Sequence, residues 1–169
     1  MTEFFRKHRF NIIVGAIVTV MALYLYVHYR TAPQLDFSQY TIRDLDGKEV
    51  RMESFSGKTV FLNFWATWCP DCVREMPSIV SAMQQLDSSR VVFLFVSDES
   101  PEKIRSFDER KKFPFRYYTI SKPLPEIGIH AIPTTYIMNK KGEVVFEKVG
   151  GTDWSQPDKI NMLKSLAGQ

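Results

Sequence analysis

Only two of the 169 residues are cysteines, Cys69 and Cys72, and they stand three apart in NFWATWCPDCVREMP, residues 63–77. Thiols at that spacing can close a disulfide with each other, and the second can release whatever the first has captured as a mixed disulfide. An apolar run ends at Trp65 and helical spacing starts near Pro70, so Cys69 falls at the mouth of a helix. There the unpaired N–H groups and the positive end of the helix dipole favour an anion. A thiol at that point is pulled below its ordinary range, which makes Cys69 the attacking sulfur. Metal chemistry fits less well, because two thiols cannot fill the four positions of a zinc site and His130 is the single histidine outside the N-terminal region. Neither a metal nor another cofactor is called for.

The neighbours of the pair carry more than one reading. Glu75, three residues beyond Cys72, shares its side of the helix. Exposed, it is an ordinary helix acid; partly buried, its pKa rises and it can exchange a proton with Cys72. Asn63 is a polar side chain in an apolar run and must find a hydrogen-bond partner, for which nearby backbone is the expectation. Asp71 suits a helix N-terminus but repels a neighbouring thiolate, two effects of opposite sign. Pro133, in Ile132-Pro133-Thr134, either marks the start of a strand or is a cis-proline beside the dithiol, leaving the backbone of Ile132 for an incoming peptide to pair with. His130, close to that loop in sequence, is expected at the surface.

These residues need a scaffold, and the patterning supplies one. Residues 36–54 alternate around Asp46-Gly47, which predicts a hairpin with a tight turn. TVFLNFW (59–65) and VVFLFVS (91–97) are near-continuous apolar runs, the pattern of strands covered on both faces. Between them Val73, Met76, Ile79, Val80, Met83 and Leu86 recur at helical spacing, predicting a helix from about Pro70 to Leu86 with an internal proline, Pro77, that should kink it. Ser100-Pro101-Glu102 opens another helix with a cap, a first-turn proline and a favourable acid. TTYIMN (134–139), a turn at Lys141-Gly142 and EVVFEKV (143–149) form a second hairpin, and residues 157–169 close the chain with a helix. The implied class is α/β: a central mixed β-sheet flanked by helices, its first two long strands parallel through a crossover and its last two antiparallel.

The N-terminus has a different character. After Arg6-Lys7-His8-Arg9, the stretch from Phe10 to Tyr29 has no Asp, Glu, Lys or Arg, and at about 1.5 Å per residue it is long enough to cross a bilayer core of about 30 Å. A soluble core helix would have a polar face, and this one has none. A cleaved signal peptide is the competing reading, but HYRTAPQ offers no clear small-x-small cleavage site. The expected organisation is a cytoplasmic tail (1–9), a transmembrane anchor (10–29), a linker (30–35) and one folded domain (36–169). Basic residues on the N-terminal flank put that domain outside the cytoplasm. Charge supports a single soluble body. Of the net +3, all is accounted for by residues 1–30, which leaves 18 basic and 18 acidic residues in 31–169. Such a surface has no basic stripe for nucleic acid.

Taken together, LDGKEVRMESFSGKTV, FLNFWATWCPDCVREMP and GIHAIPTTYIMNKKGEVV resemble the thioredoxin superfamily, specifically the membrane-anchored TlpA/ResA/DsbE (CcmG) group of bacterial thiol-disulfide oxidoreductases. The resemblance covers residue 36 onward. It implies a thioredoxin-like fold, with Cys69 as nucleophile, Cys72 as resolving thiol, Glu75 as a buried acid and Pro133 as the cis-proline. Trp68, Ile132 and Pro133 would then meet the client. Classical thioredoxins have Asp where Asn63 stands, so this site fits the anchored group better. Pro70-Asp71 departs from relatives that place proline just before the second cysteine, and leaves the working direction open. The function implied is reduction of disulfides in exported proteins, apocytochrome c being the group's best-known client, with electrons from a membrane thiol carrier. A thiol oxidase or isomerase of the same fold is the alternative. A copper chaperone would resemble a CxxxC site with a distant histidine, and a peroxidase would need PxxxTxxC; the sequence carries neither pattern.

Overall fold

The computed structural model describes residues 2–30 and 40–169, with side chains in the first stretch described for 11–26. The chain divides into two compact units, Met1–Thr31 and Ala32–Gln169. The expected linker residues 31–35, and the start of the first hairpin segment at 36–39, lie outside the described residues.

The first unit is one helix, α1 (Thr2–Arg30). Its apolar side chains point in all directions, Ile17, Val18, Val20 and Leu23 among them, and Thr19 donates its hydroxyl to the Gly15 carbonyl within the helix (2.9 Å). Among the described residues no helix is long and apolar enough to cross a membrane. The span anticipated from sequence, 10–29, extends past both ends of the stretch whose side chains are described.

The second unit is built on a seven-stranded sheet. In chain order it contains β1 (Ile42–Asp44), β2 (Glu49–Val50), β3 (Thr59–Phe64), α2 (Pro70–Met83), β4 (Val91–Ser97), α3 (Pro101–Lys111), β5 (Tyr117–Ile120), β6 (Thr134–Met138), β7 (Val144–Val149) and α4 (Pro157–Ala167), with single 3-10 turns at Met52–Phe55 and Leu124–Ile127. The strands lie in the order β2-β1-β5-β4-β3-β6-β7. The first hairpin closes where expected: the Asp44 carboxylate accepts the N–H groups of Asp46 and Lys48, and Gly47 takes the left-handed conformation (φ 85°) that the turn requires.

β3 pairs parallel with β4, and β4 parallel with β5; β6 lies antiparallel to both β3 and β7. Two successive right-handed crossovers running the same way across a sheet put their helices on one face. That is the arrangement here. Phe61, Phe93, Phe95, Tyr117 and Ile137 pack against Met76 and Ile79 of α2, Ile104 and Phe107 of α3, and Ile160 and Leu163 of α4. The opposite face, Ile42, Val60, Leu62, Phe64, Leu94, Val96 and Tyr136, packs with Tyr40, Leu124 and Ile129. Every residue of β3 and of β4 is buried, which is why both read as near-continuous apolar runs.

Two expectations need correction. β5 is a strand the patterning did not reveal. Its residues alternate between the two cores, Tyr117 to one face and Tyr118 and Ile120 to the other, but tyrosines beside Pro114 and Arg116 do not form an apolar run. And α2 ends at Met83, not Leu86: Leu86 is buried, but from the irregular turn after the helix.

Candidate functional site

Period-2 alternation in β3 turns Phe61, Asn63 and Trp65 toward α2, and the chain leaves the strand at Phe64 to enter the helix at Pro70. Cys69 is the N-cap of α2, with extended backbone (φ −85°, ψ 108°), and Pro70 occupies the first helical position. Cys69 is joined to Cys72 by a disulfide. The Cys69 sulfur accepts the Cys72 backbone N–H at 3.2 Å, so one of the orphan donors of the helix end is already aimed at it. Both sulfur-bearing residues are buried, at 4% and 1% exposure, whereas the adjoining Trp68 is 71% exposed.

Glu75 lies on the same buried face of α2 as Cys72 and is 5% exposed. Three donors converge on it. Asn63 Nδ2 donates to Oε1 (2.9 Å) and also to the Thr135 hydroxyl (2.9 Å); the Thr152 backbone N–H and Trp154 Nε1 donate to Oε2 (3.2 and 3.3 Å). Asn63 and Thr135 are directly opposed across the β3–β6 ladder, so the sheet register itself fixes the pair. Asn63 is thus satisfied by side chains, not by the nearby backbone that its place in the sequence suggested: β3 turns it toward a helix residue 12 positions away. Burial pushes the Glu75 pKa up, to about 7, against the pull of these donors. Near neutrality the carboxyl therefore holds and releases a proton with comparable ease. It also borders an open cleft of about 610 Å³, with Ser78, Gly151 and Thr152, through which a proton can reach solvent.

The third part of the site is the loop before β6. The Ile132-Pro133 peptide bond is cis, and the Ile132 carbonyl oxygen stands 3.7 Å from the Cys69 sulfur. Thr134 donates its hydroxyl to the Ala131 carbonyl (2.7 Å), holding the loop on the strand. His130 is exposed. Asp71 is ion-paired with Arg74 at 2.6 Å, both side chains being largely in solvent, where such a pair contributes little.

Sequence reasoning missed Thr135, Thr152, Trp154 and Glu99. Glu99 follows β4 and grips the loop before Cys69, accepting the Thr67 N–H (2.6 Å) and hydroxyl (3.0 Å). The signal for it is topological: parallel neighbours end side by side, so the loop after β4 must adjoin the loop after β3. Trp154 and Thr152 sit 77 or more residues from Glu75, and their one hint is the Gly150-Gly151 pair that lets backbone approach α2. A Cβ at Gly151 would lie 3.5 Å from the Asp71 carbonyl oxygen and 3.9 Å from Glu75 Oε2.

A profile of the AhpC/TSA family matches residues 30–147. The chain belongs to that family. Within it, the chain is 35% identical over 116 residues to the thiol-disulfide oxidoreductase ResA of Halalkalibacterium halodurans, a match covering 66% of this chain and 65% of that one. It is 30% identical over 133 residues to ResA of Bacillus subtilis, covering 76% and 74% respectively. The first match spans just under two thirds of the relative's length, so the relative's activity does not transfer on the match alone. Among solved structures, a thiol:disulfide interchange protein of the thioredoxin family from Chlorobium tepidum superposes with a TM-score of 0.62 at 25% identity, over 82% of this chain and 98% of that one. The family's α/β architecture is thus present here in its thioredoxin-like form.

For an AhpC/TSA family chain, this arrangement can do a defined kind of chemistry. A sulfur capped by a helix N-terminus, a second sulfur one turn on, an acid poised near neutrality behind them and a cis-proline loop in front can pass two electrons and two protons between a dithiol and a disulfide.

Proposed function

We propose that the chain is a membrane-anchored thiol-disulfide oxidoreductase that reduces disulfides in proteins outside the cytoplasm. The observation that carries this reading is the Cys69–Cys72 disulfide at the first turn of α2, facing Ile132-Pro133 and backed by the buried Glu75. In the reduced chain the Cys69 thiolate attacks one sulfur of a client disulfide and expels the other as a thiolate. Cys72, giving its proton to the Glu75 carboxylate, then attacks Cys69 and expels the remaining client sulfur. The client leaves as a dithiol, the chain keeps the two-electron oxidation as its own disulfide, and a membrane thiol carrier restores the dithiol. Trp68, Ile132 and Pro133 form the surface against which the client lies, its backbone pairing with Ile132 as an added strand.

The anchoring rests on the basic cluster at the start of α1 and the apolar stretch 10–29 that follows it without a polar face, and it suits a reductant that works in a compartment otherwise kept oxidising. The relatives' name, thiol-disulfide oxidoreductase, supports the activity. Apocytochrome c, with two cysteines that must be reduced before haem attachment, is the client class this reading puts first. An oxidase or isomerase uses the same site with the electron flow reversed or cycled, and the reduction potential decides between them. The test is a Cys72→Ser trap in the full chain. Cys69 then holds its clients as mixed disulfides that mass spectrometry identifies, and Cys69→Ser abolishes them. Absence of any Cys69-dependent adduct, together with a wild-type dithiol that neither reduces insulin nor exchanges with glutathione, ends the proposal.

A further inference from the structure

Cys69 also lies in the wall of a second cleft, of about 480 Å³, between the first turn of α2 and the last turn of α3. Its floor includes the buried Phe107, its rim the 71%-exposed Trp68, and its charged lining is entirely cationic: Arg74, Arg110 and Lys111. The acids nearby are turned to other work. Asp71 lines the cleft beside Glu75 and is ion-paired with Arg74, and the Glu99 carboxylate has both oxygens on Thr67. The positive excess in the cleft therefore comes from Arg110 and Lys111. Cations at the C-terminal turn of a helix answer its dipole wherever they occur. That does not account for their convergence with an exposed tryptophan on the wall that holds the reactive sulfur.

We propose that this cleft receives the client segment flanking its disulfide and selects segments carrying Asp or Glu beside the reactive cysteine. The inference rests on the reading of Cys69 and Cys72 as a client-reducing dithiol. Trp68 offers an apolar face to the client backbone, while Arg110 and Lys111 attract its acidic side chains. The electrons move as in the general reaction: the Cys69 thiolate attacks the client sulfur, Cys72 displaces it, and the client leaves with both sulfurs reduced.

The test uses the full chain, reduced and held in a non-ionic detergent. Its probes are three synthetic peptides, each closed by one Cys-x-x-Cys disulfide and differing at two flanking positions that are Asp, Gln or Lys. Single-turnover rates are divided by the rates with dithiothreitol, which removes intrinsic differences among the peptides. The expected result is that the Asp peptide reacts about tenfold faster than the Lys peptide at low ionic strength, a ratio that shrinks toward one in high salt. R110E/K111E inverts the ratio. K140E/K141E, the same charge change in the exposed turn at the far end of β6, leaves it as in the wild type. Equal rates for the three peptides, or a ratio unmoved by R110E/K111E, overturn the selectivity and leave the dithiol chemistry standing. If no peptide is reduced and glutathione disulfide is inert as well, both fall.

Discussion

Glu75 is the residue on which the chemistry turns. All its partners are donors, which favours the anion, yet burial outweighs them and holds the pKa near 7. A carboxyl whose folded pKa lies above its unfolded value near 4.5 binds more protons in the native state. Its contribution is complete below pH 4.5 and is lost as pH rises through about 7. With about 1.4 kcal/mol per pK unit, the native disulfide form should lose on the order of 3 kcal/mol over that window relative to Glu75→Gln, in which the slope is absent. Urea midpoints of the two proteins between pH 4 and 8 measure this. Curves that stay parallel across the range would rule out a raised Glu75 pKa. In the reduced protein the same titration appears as a rise in the rate of mixed-disulfide resolution through pH 7, lost in Glu75→Gln. Trp154 Nε1, bonded to the carboxylate, supplies an optical reporter: its emission should titrate with the same midpoint.

At the scale of elements, the site is a junction where α2, the β3–β6 ladder and the loop of residues 150–154 meet. Ser78 ties two of them, donating its hydroxyl to the Glu75 carbonyl (2.7 Å) and accepting the Trp154 backbone N–H (3.0 Å). Ser78→Ala leaves that N–H without its partner, at a cost of about 1–2 kcal/mol. It also loosens the loop that keeps water from Glu75, so the Glu75 midpoint should fall toward the ordinary carboxylate range. Chemical denaturation and the Trp154 titration check the two halves. A variant as stable as the wild type, with an unmoved midpoint, would show that the loop is held by other contacts. This junction also marks the limit of what the chain discloses unfolded. The cysteine pair, the helix opening at Pro70, the two long strands and the turn glycines are local patterns, and the folded chain has them. The donors of Glu75 come from β3 and a loop 77 or more residues on, and β6 supplies the acceptor that holds Asn63; only sheet register and helix placement bring them together, and neither is written in a window of neighbouring residues. β5 escaped for a related reason, since a short strand whose tyrosines serve two cores lacks the apolar run that announces β3 and β4.

At the scale of the whole molecule, the proposal joins an apolar helix to a domain whose charges balance, and the two make separate demands. With 18 charges of each sign in residues 31–169, nothing in the domain's net charge draws it to an anionic lipid surface. On the proposed reading, membrane association comes from α1, and its direction from the positive cluster Arg6, Lys7 and Arg9. The chain should therefore resist extraction by carbonate or high salt and yield to detergent, while a chain lacking residues 1–30 should leave the membrane fraction. The direction has its own test, because Cys69 and Cys72 are the only thiols available for labelling. After reduction of intact cells with a membrane-impermeant phosphine, an impermeant maleimide should label both cysteines without permeabilisation. Labelling that requires a broken membrane would put the domain on the cytoplasmic side, where glutathione and thioredoxin already keep thiols reduced, and the role of an anchored reductant for exported clients would be lost even if the dithiol chemistry were intact.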